Sequence, residues 1–262
     1  MKLGAMDNVI KGSNDAERFA KAASIGLAGI EINLPVAECG QPDHPRIAEL
    51  LALSEEYSVT ICSTVLGEHN SGGLATWWRG EEADAEVRRA VDRTAALGAP
   101  LMLLPFFFFN EPKGSTHRQA VVERLKPLAR YAEDRDVVIA YEGVTPAAQL
   151  AEMIDAVGSP AMGVYYDVAN MTWCDADPAT EVRLLGDRIR QIHIKEARTF
   201  TGDARPGAGR VDWVAYRDAL ASIGFDGWMV LESPAAEPEV LRQDQRFVRR
   251  IFGDDVIGTG AA

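Results

Sequence analysis

Asp136-Val137-Val138-Ile139-Ala140-Tyr141-Glu142, Met162-Gly163-Val164-Tyr165-Tyr166-Asp167 and Ile189-Arg190-Gln191-Ile192-His193 are three short, mostly apolar runs, each closing on an acidic or imidazole residue. A fourth run, Trp228-Met229-Val230-Leu231, leads into Glu232. Their length and their β-branched and aromatic content read as strands. Glu142 and Asp167 are 25 residues apart, and Asp167 and His193 are 26 apart. Each interval fits one loop, one helix, one loop and one strand, the requirement for a parallel crossover. Glu232 lies 39 residues beyond His193, and the excess falls in Thr199–Arg210. Three carboxylates and one imidazole at the same end of neighbouring parallel strands make a hard, oxygen-rich pocket for one divalent cation.

The same alternation runs outward in both directions. Lys2–Met6, Gly29–Leu34, Val59–Leu66 and Pro100–Phe106 read as the first four strands. Helical spacing is predicted over Asp15–Ile25, Pro45–Tyr57, Glu81–Leu97 and Ser115–Asp134, with Gly98 as a C-terminal stop. Pro146–Val157, Asp177–Leu185, Asp212–Ile223 and Glu237–Ile251 complete the helices, and Gly258–Ala262 is expected to be a mobile tail. Eight β/α units with no Gly-, Ser- or Pro-rich linker predict a closed (β/α)8 TIM barrel, one α/β domain over residues 1–262. An open doubly wound sheet would want a phosphate fingerprint after its first strand, and residues 3–15 carry none.

Composition narrows the function. The 39 acidic and 27 basic residues give a net charge of −12, which disfavours nucleic acid and anionic membranes as partners. A small anionic substrate needs only one or two local cations and stays allowed. Cys39, Cys62 and Cys174 are odd in number and widely spaced, with neither zinc spacing nor a disulfide framework. They read as reduced thiols in a cytoplasmic protein. The N-terminus has no signal-like apolar core, and no run approaches a membrane span.

Tyr141-Glu142, Tyr166-Asp167-Val168-Ala169-Asn170, Ile192-His193-Ile194-Lys195-Glu196 and Leu231-Glu232-Ser233-Pro234 together resemble the xylose-isomerase-like superfamily of sugar isomerases and epimerases. Arg205-Pro206-Gly207-Ala208-Gly209-Arg210-Val211-Asp212-Trp213 is similar to the P-G-x-G-x-[VI]-[DN]-[WF] stretch after strand seven in that family. The resemblance spans nearly the whole chain. It implies one Mn²⁺, Mg²⁺ or Co²⁺, with Mn²⁺ the first choice, held by Glu142, Asp167, His193 and Glu232. It also implies that Glu142 and Glu232 act as acid and base on opposite faces of a sugar, and that the chain forms a homo-oligomer, a dimer. A cation that stabilises the developing enediolate makes a proton beside a carbonyl removable, and one glutamate takes it while the other returns one.

Three positions depart from the ketose 3-epimerase branch. Asn170 replaces a histidine, Ala148 replaces a sugar-binding glutamate, and Thr199 replaces an arginine, with Arg198 one place early. The metal centre is therefore better supported than a free-ketose substrate. Candidate substrate contacts are His69, Asn170, Lys195 and Arg205, each with a bland alternative: a loop histidine, a rim salt bridge, a solvated arginine. Glu31, at the end of strand two, reads as mainly structural. Phe106 to Phe109 are expected to alternate, two rings inward and two outward, and with Trp77, Trp78 and Trp173 to wall the site or a subunit contact.

The leading expectation is a metal-dependent sugar isomerase or epimerase. The rival is a lyase or dehydratase on an oxidised sugar, of the inosose dehydratase or 3-oxo-glycoside-cleaving type. There the same enediolate expels a leaving group. A DNA-repair endonuclease on this fold would need several zinc ions and more than four histidines. A non-catalytic sugar-binding barrel would have no use for Glu142 and Glu232.

Overall fold

A computed structural model describes residues 1–36, 41–196, 198, 203–254 and 256. Cys39, Thr199 and the tail Gly258–Ala262 lie outside the described residues. Eight parallel strands close into a barrel in chain order: β1 (Lys2–Met6), β2 (Gly29–Asn33), β3 (Thr60–Val65), β4 (Leu101–Phe106), β5 (Val138–Gly143), β6 (Met162–Asp167), β7 (Ile189–Ile194) and β8 (Trp228–Leu231). Pairing of Leu3 with Met229 and of Ala5 with Leu231 closes the ring. The predicted strands agree with these bounds to within two residues.

The outer layer contains α1 (Asp15–Ser24), α2 (Pro45–Tyr57), α3 (Gly80–Ala96), α4 (Ser115–Glu133), α5 (Ala147–Val157), α6 (Val168–Trp173), α7 (Pro178–Leu185), α8 (Trp213–Ser222) and α9 (Pro238–Phe252). Local chemistry sets their ends. The Asn14 side chain accepts the Glu17 N–H at 2.8 Å and caps α1. Pro178 and Pro238 sit in the first turns of α7 and α9, where a missing N–H costs little. Gly98 takes a φ of 65° just beyond α3, as its predicted stop role requires. No helix among the described residues is long and apolar enough to cross a membrane.

Two local features differ from expectation. Helix α6 was not predicted; it starts directly after β6 because Asp167 caps it with its own side chain. The four phenylalanines do not alternate. Phe106 and Phe107 are both buried, whereas Phe108 and Phe109 are exposed, because the strand ends at Phe106 and the chain turns into a short 3₁₀ segment, Phe108–Asn110. Phe108 itself takes a φ of 52°, a rare conformation for a bulky residue.

The register brings the site to one end. Asp167 pairs with His193 across β6 and β7, Pro105 with Glu142 across β4 and β5, and Ile194 with Leu231 across β7 and β8. Two strand pairs lose regular register, β2–β3 between Ile30 and Glu31 and β6–β7 between Val164 and Tyr165. Irregularities of this kind re-aim side chains near barrel rims and active sites.

Candidate active site

At the C-terminal end of the strands, Glu142, Asp167, His193 and Glu232 each offer one ligand atom, all within 4.8 Å of one another. The first three are buried, and Glu232 is partly exposed at the mouth. His193 Nδ1 lies 2.9 Å from both Glu142 Oε1 and Glu232 Oε2. Asp167 divides its carboxylate between two tasks. Its Oδ1 accepts the N–H groups of Ala169 and Asn170 at 2.8 and 3.0 Å, which starts α6. Its Oδ2 is buried without a hydrogen bond, as is Glu232 Oε2. Three carboxylates gathered around one imidazole nitrogen, with Asp167 Oδ2 and Glu232 Oε2 held by ion-pair contacts with Lys195 and His193 and by no well-formed hydrogen bond, are the donor set a divalent cation takes up, so the residues present fit a metal.

The cluster floors a cavity of about 350 Å³, the size of a small-molecule site. Asn170 and Lys195 share this polar floor with Glu142, His193 and Glu232. The rest of the lining is largely apolar, built from Met6, Val65, Leu103, Pro105, Phe107 and Phe108. Asn33 and Asn70 add polar points between them.

The family described as xylose isomerase-like TIM barrel matches residues 19–251. The chain belongs to that family. A 2-epi-5-epi-valiolone 7-phosphate 2-epimerase of Actinoplanes sp. is 28% identical over 69% of this chain and 67% of its own length. A ketose 3-epimerase of Arthrobacter globiformis is 27% identical over 89% of this chain and 83% of its own. A crystal structure of D-psicose 3-epimerase with D-tagatose, from Clostridium cellulolyticum H10, superimposes with a TM-score of 0.81 at 17% identity, covering 97% of this chain and 100% of that one. That structural likeness supports the barrel fold.

The two glutamates of this xylose isomerase-like barrel sit in contrasting fields. Burial pushes the Glu142 carboxyl up to about 7, against the opposing pull of His193. Burial acts on Glu232 in the same sense, but the charges of His193 and Lys195 outweigh it and hold that carboxyl well below the usual range. Lys195 Nζ is 2.9 Å from Glu232 Oε1 and 3.3 Å from both Asp167 Oδ2 and Asn170 Oδ1. Asp167 and Glu232 raise the Lys195 ammonium despite its burial. Contrasting environments for paired carboxylates are the usual basis of an acid/base division.

The remaining predicted contacts fall in different places. Asn170 and Lys195 line the cavity; Lys195 does so because it lies two residues past His193 on the same strand face. His69 is fully buried behind the loop after β3, where its Nε2 accepts the Leu74 N–H at 3.0 Å and its ring meets Phe106 edge-on. The neighbouring Asn70 lines the cavity, and its Oδ1 takes the Phe107 N–H at 3.1 Å. Arg205 bonds Asp244 Oδ2 at 2.7 Å, Ser233 Oγ at 3.0 Å and the Pro234 carbonyl, tying the loop after β8 to α9. Arg198 bonds the Ala208 carbonyl and Arg210 pairs with Asp175.

Sequence reasoning undervalued Glu31 and did not single out Asn33. Glu31 is fully buried, and its Oε1 lies 3.0 Å from His193 Nε2. The available signal was a charged residue inside an otherwise apolar strand, Gly29-Ile30-Glu31-Ile32. Such a charge persists in a barrel interior only when partners meet it.

Proposed function

We propose that this chain is a divalent-metal-dependent sugar isomerase or epimerase that moves a proton beside a carbonyl through an enediolate. The carrying observation is the clustering of Glu142, Asp167, His193 and Glu232 within 4.8 Å of one another, three of them, Glu142, His193 and Glu232, lining a cavity of small-molecule size. The epimerase names of two relatives that align over two thirds or more of this chain support the same reaction class.

A cation held by the four residues, Mn²⁺ before Mg²⁺ or Co²⁺, would supply charge stabilisation for the oxygen of the enediolate. Glu142 and Glu232 both reach the cavity, one to remove a proton from carbon and the other to return one. His193 and then Lys195 lower the Glu232 carboxyl, whereas burial raises that of Glu142, so the two glutamates differ in proton affinity. Asn170 presents its amide from the first turn of α6, where a substrate hydroxyl would be oriented. Met6, Val65, Leu103, Pro105 and Phe107 give the cavity apolar surface against which the carbon skeleton of a substrate would pack.

Mass spectrometry in D₂O tests the reading. Ketoses, ketose phosphates and 3-oxo-glycosides are incubated with Mn²⁺ and enzyme, beside a Glu142→Gln control. Enzyme-dependent deuterium gain in a substrate or its isomer supports the proposal. Loss of water or an aglycone in its place moves the chain to the lyase class, and no change across the panel rejects the proposed chemistry for these sugars.

A further inference from the structure

Beside the four-residue cluster lies a second polar layer inside the barrel, formed by residues two before Asp167 and His193 on β6 and β7 together with residues of β2 and β3. It consists of Glu31, Ser63, Tyr165 and Gln191, all essentially without solvent exposure. The Gln191 amide nitrogen donates to Ser63 Oγ at 2.7 Å and to Tyr165 Oη at 3.0 Å. Those hydroxyls donate to one oxygen of Glu31, Oε2, at 2.6 and 2.8 Å. The other oxygen, Oε1, faces His193 Nε2 at 3.0 Å. The two register shifts of the barrel fall directly before Glu31 and Tyr165, so both strands are bent where this layer forms.

We propose that Glu31 is a positioning residue for His193: it accepts the Nε2 proton and thereby commits the Nδ1 lone pair to the cation site. Two hydroxyls, of Ser63 and Tyr165, donate to Glu31 Oε2, and its Oε1 faces His193 Nε2, so Glu31 is the acceptor on which the layer converges. The Nε2 must carry a proton to complete the set. The other ring nitrogen, Nδ1, lies 2.9 Å from Glu142 Oε1 and Glu232 Oε2; without a cation it shares a proton with them, and a bound cation would displace that proton and take the lone pair, while a ring flip would orphan the buried carboxylate. The inference rests on the metal-site reading above and deepens it, because it assigns the group that selects which nitrogen binds.

Glu31→Gln tests it with little change in shape. The amide places an N–H either against His193 Nε2 or against two hydroxyls already aimed at that position. Mn²⁺ titration by calorimetry is expected to show roughly 10–100-fold weaker binding than wild type. Long-range ¹H–¹⁵N spectra of the Mg²⁺-loaded protein are expected to show a hydrogen-bonded Nε2 proton on His193 in wild type and its loss or displacement in the variant. A merely structural residue would lower thermal stability and leave both readouts in place. Wild-type Mn²⁺ affinity together with an unchanged His193 pattern would overturn the inference. If Glu31→Gln fails to fold, Tyr165→Phe decides: several-fold weaker Mn²⁺ binding supports the assignment, and unchanged binding overturns it. Wild-type protein that binds no Mn²⁺ removes the metal-site reading, and the inference with it.

Discussion

Lys195 Nζ sits 2.9 Å from Glu232 Oε1 while both residues line the same cavity, so the ammonium and the carboxylate hold each other in place. Lys195 reaches this position from the residue directly after β7, and Asp167 Oδ2 stands 3.3 Å from the same ammonium. Lys195→Met removes a charge-assisted contact of about 1.5–3 kcal/mol. The expected outcome is a kcat/KM lower by roughly 10–100-fold, with all four ligand residues and stoichiometric Mn²⁺ retained. Steady-state kinetics paired with metal analysis checks it, and unaltered kinetics would remove Lys195 from the working site.

Glu142→Gln keeps an oxygen toward His193 but gives up the exchangeable carboxyl. Proton transfer is expected to fall by roughly 10²–10⁴-fold, read as deuterium incorporation per hour. Metal is expected to stay bound, more weakly. Full exchange in this variant would eliminate Glu142 as acid or base.

Loss of His193 acts differently. His193→Ala removes the imidazole on which Glu142, Glu232 and Glu31 converge. Its Mn²⁺ affinity is expected to drop by more than the roughly 10–100-fold that follows loss of an outer partner. Chelation of the wild type should abolish turnover, and added Mn²⁺ should restore it in wild type but not at matched concentration in the variant.

His69 predicts an acid sensitivity that is independent of the metal. Burial first, and then Arg124 and Arg79, lower its pKa to about 3 from the ordinary 6.5. The unfolded chain therefore binds one more proton than the folded one between those values. The stability contributed by neutral His69 is fully present above pH 6.5 and is lost as pH falls towards 3, by up to about 1.4 kcal/mol per pH unit. Urea unfolding of the metal-free protein at pH 7, 6 and 5 is expected to show this slope, reduced by about one proton in His69→Gln. Equal slopes in the two proteins would contradict it.

One acid gathers several donors of the loop after β7. Glu196, fully buried, accepts the N–H groups of Gly207 at 3.1 Å and Val211 at 3.2 Å and the Trp213 indole at 2.9 Å. A Cβ at Gly209 would come within 2.4 Å of the same carboxylate. Glu196→Ala orphans these donors at about 1–3 kcal/mol each. A lower Tm with a shifted Trp213 emission is the expected result, whereas a wild-type melt would show that the loop is held by other contacts.

The barrel and the four-residue cluster were legible because both follow short-range rules. Alternating strand and helix periods set the element order, and each polar residue closing an apolar run marks a strand end, which a parallel barrel gathers on one face. Lys195 was legible by parity with His193. His69 was not, since nothing local shows that Leu74 and Phe106 fold over it. Arg205 likewise found its partners 28 and 39 residues away, in Ser233 and Asp244. The run of phenylalanines misled because alternation holds only while a strand lasts, and this strand stops at Phe106.

The sequence by itself determined the eight repeated units, the strand that carries each of Glu142, Asp167, His193 and Glu232, and the family to which those motifs belong. These depend on periodicity, spacing and turn chemistry, which act over a few residues. Only the tertiary structure decided that Glu31 meets His193 from across the barrel, that Asp167 gives one oxygen to a helix and turns the other toward Lys195, and that Asn70 rather than His69 faces the cavity. Closure and register, with two local irregularities, select which side chains meet inside a barrel, and a contact between residues 162 positions apart has no local signature.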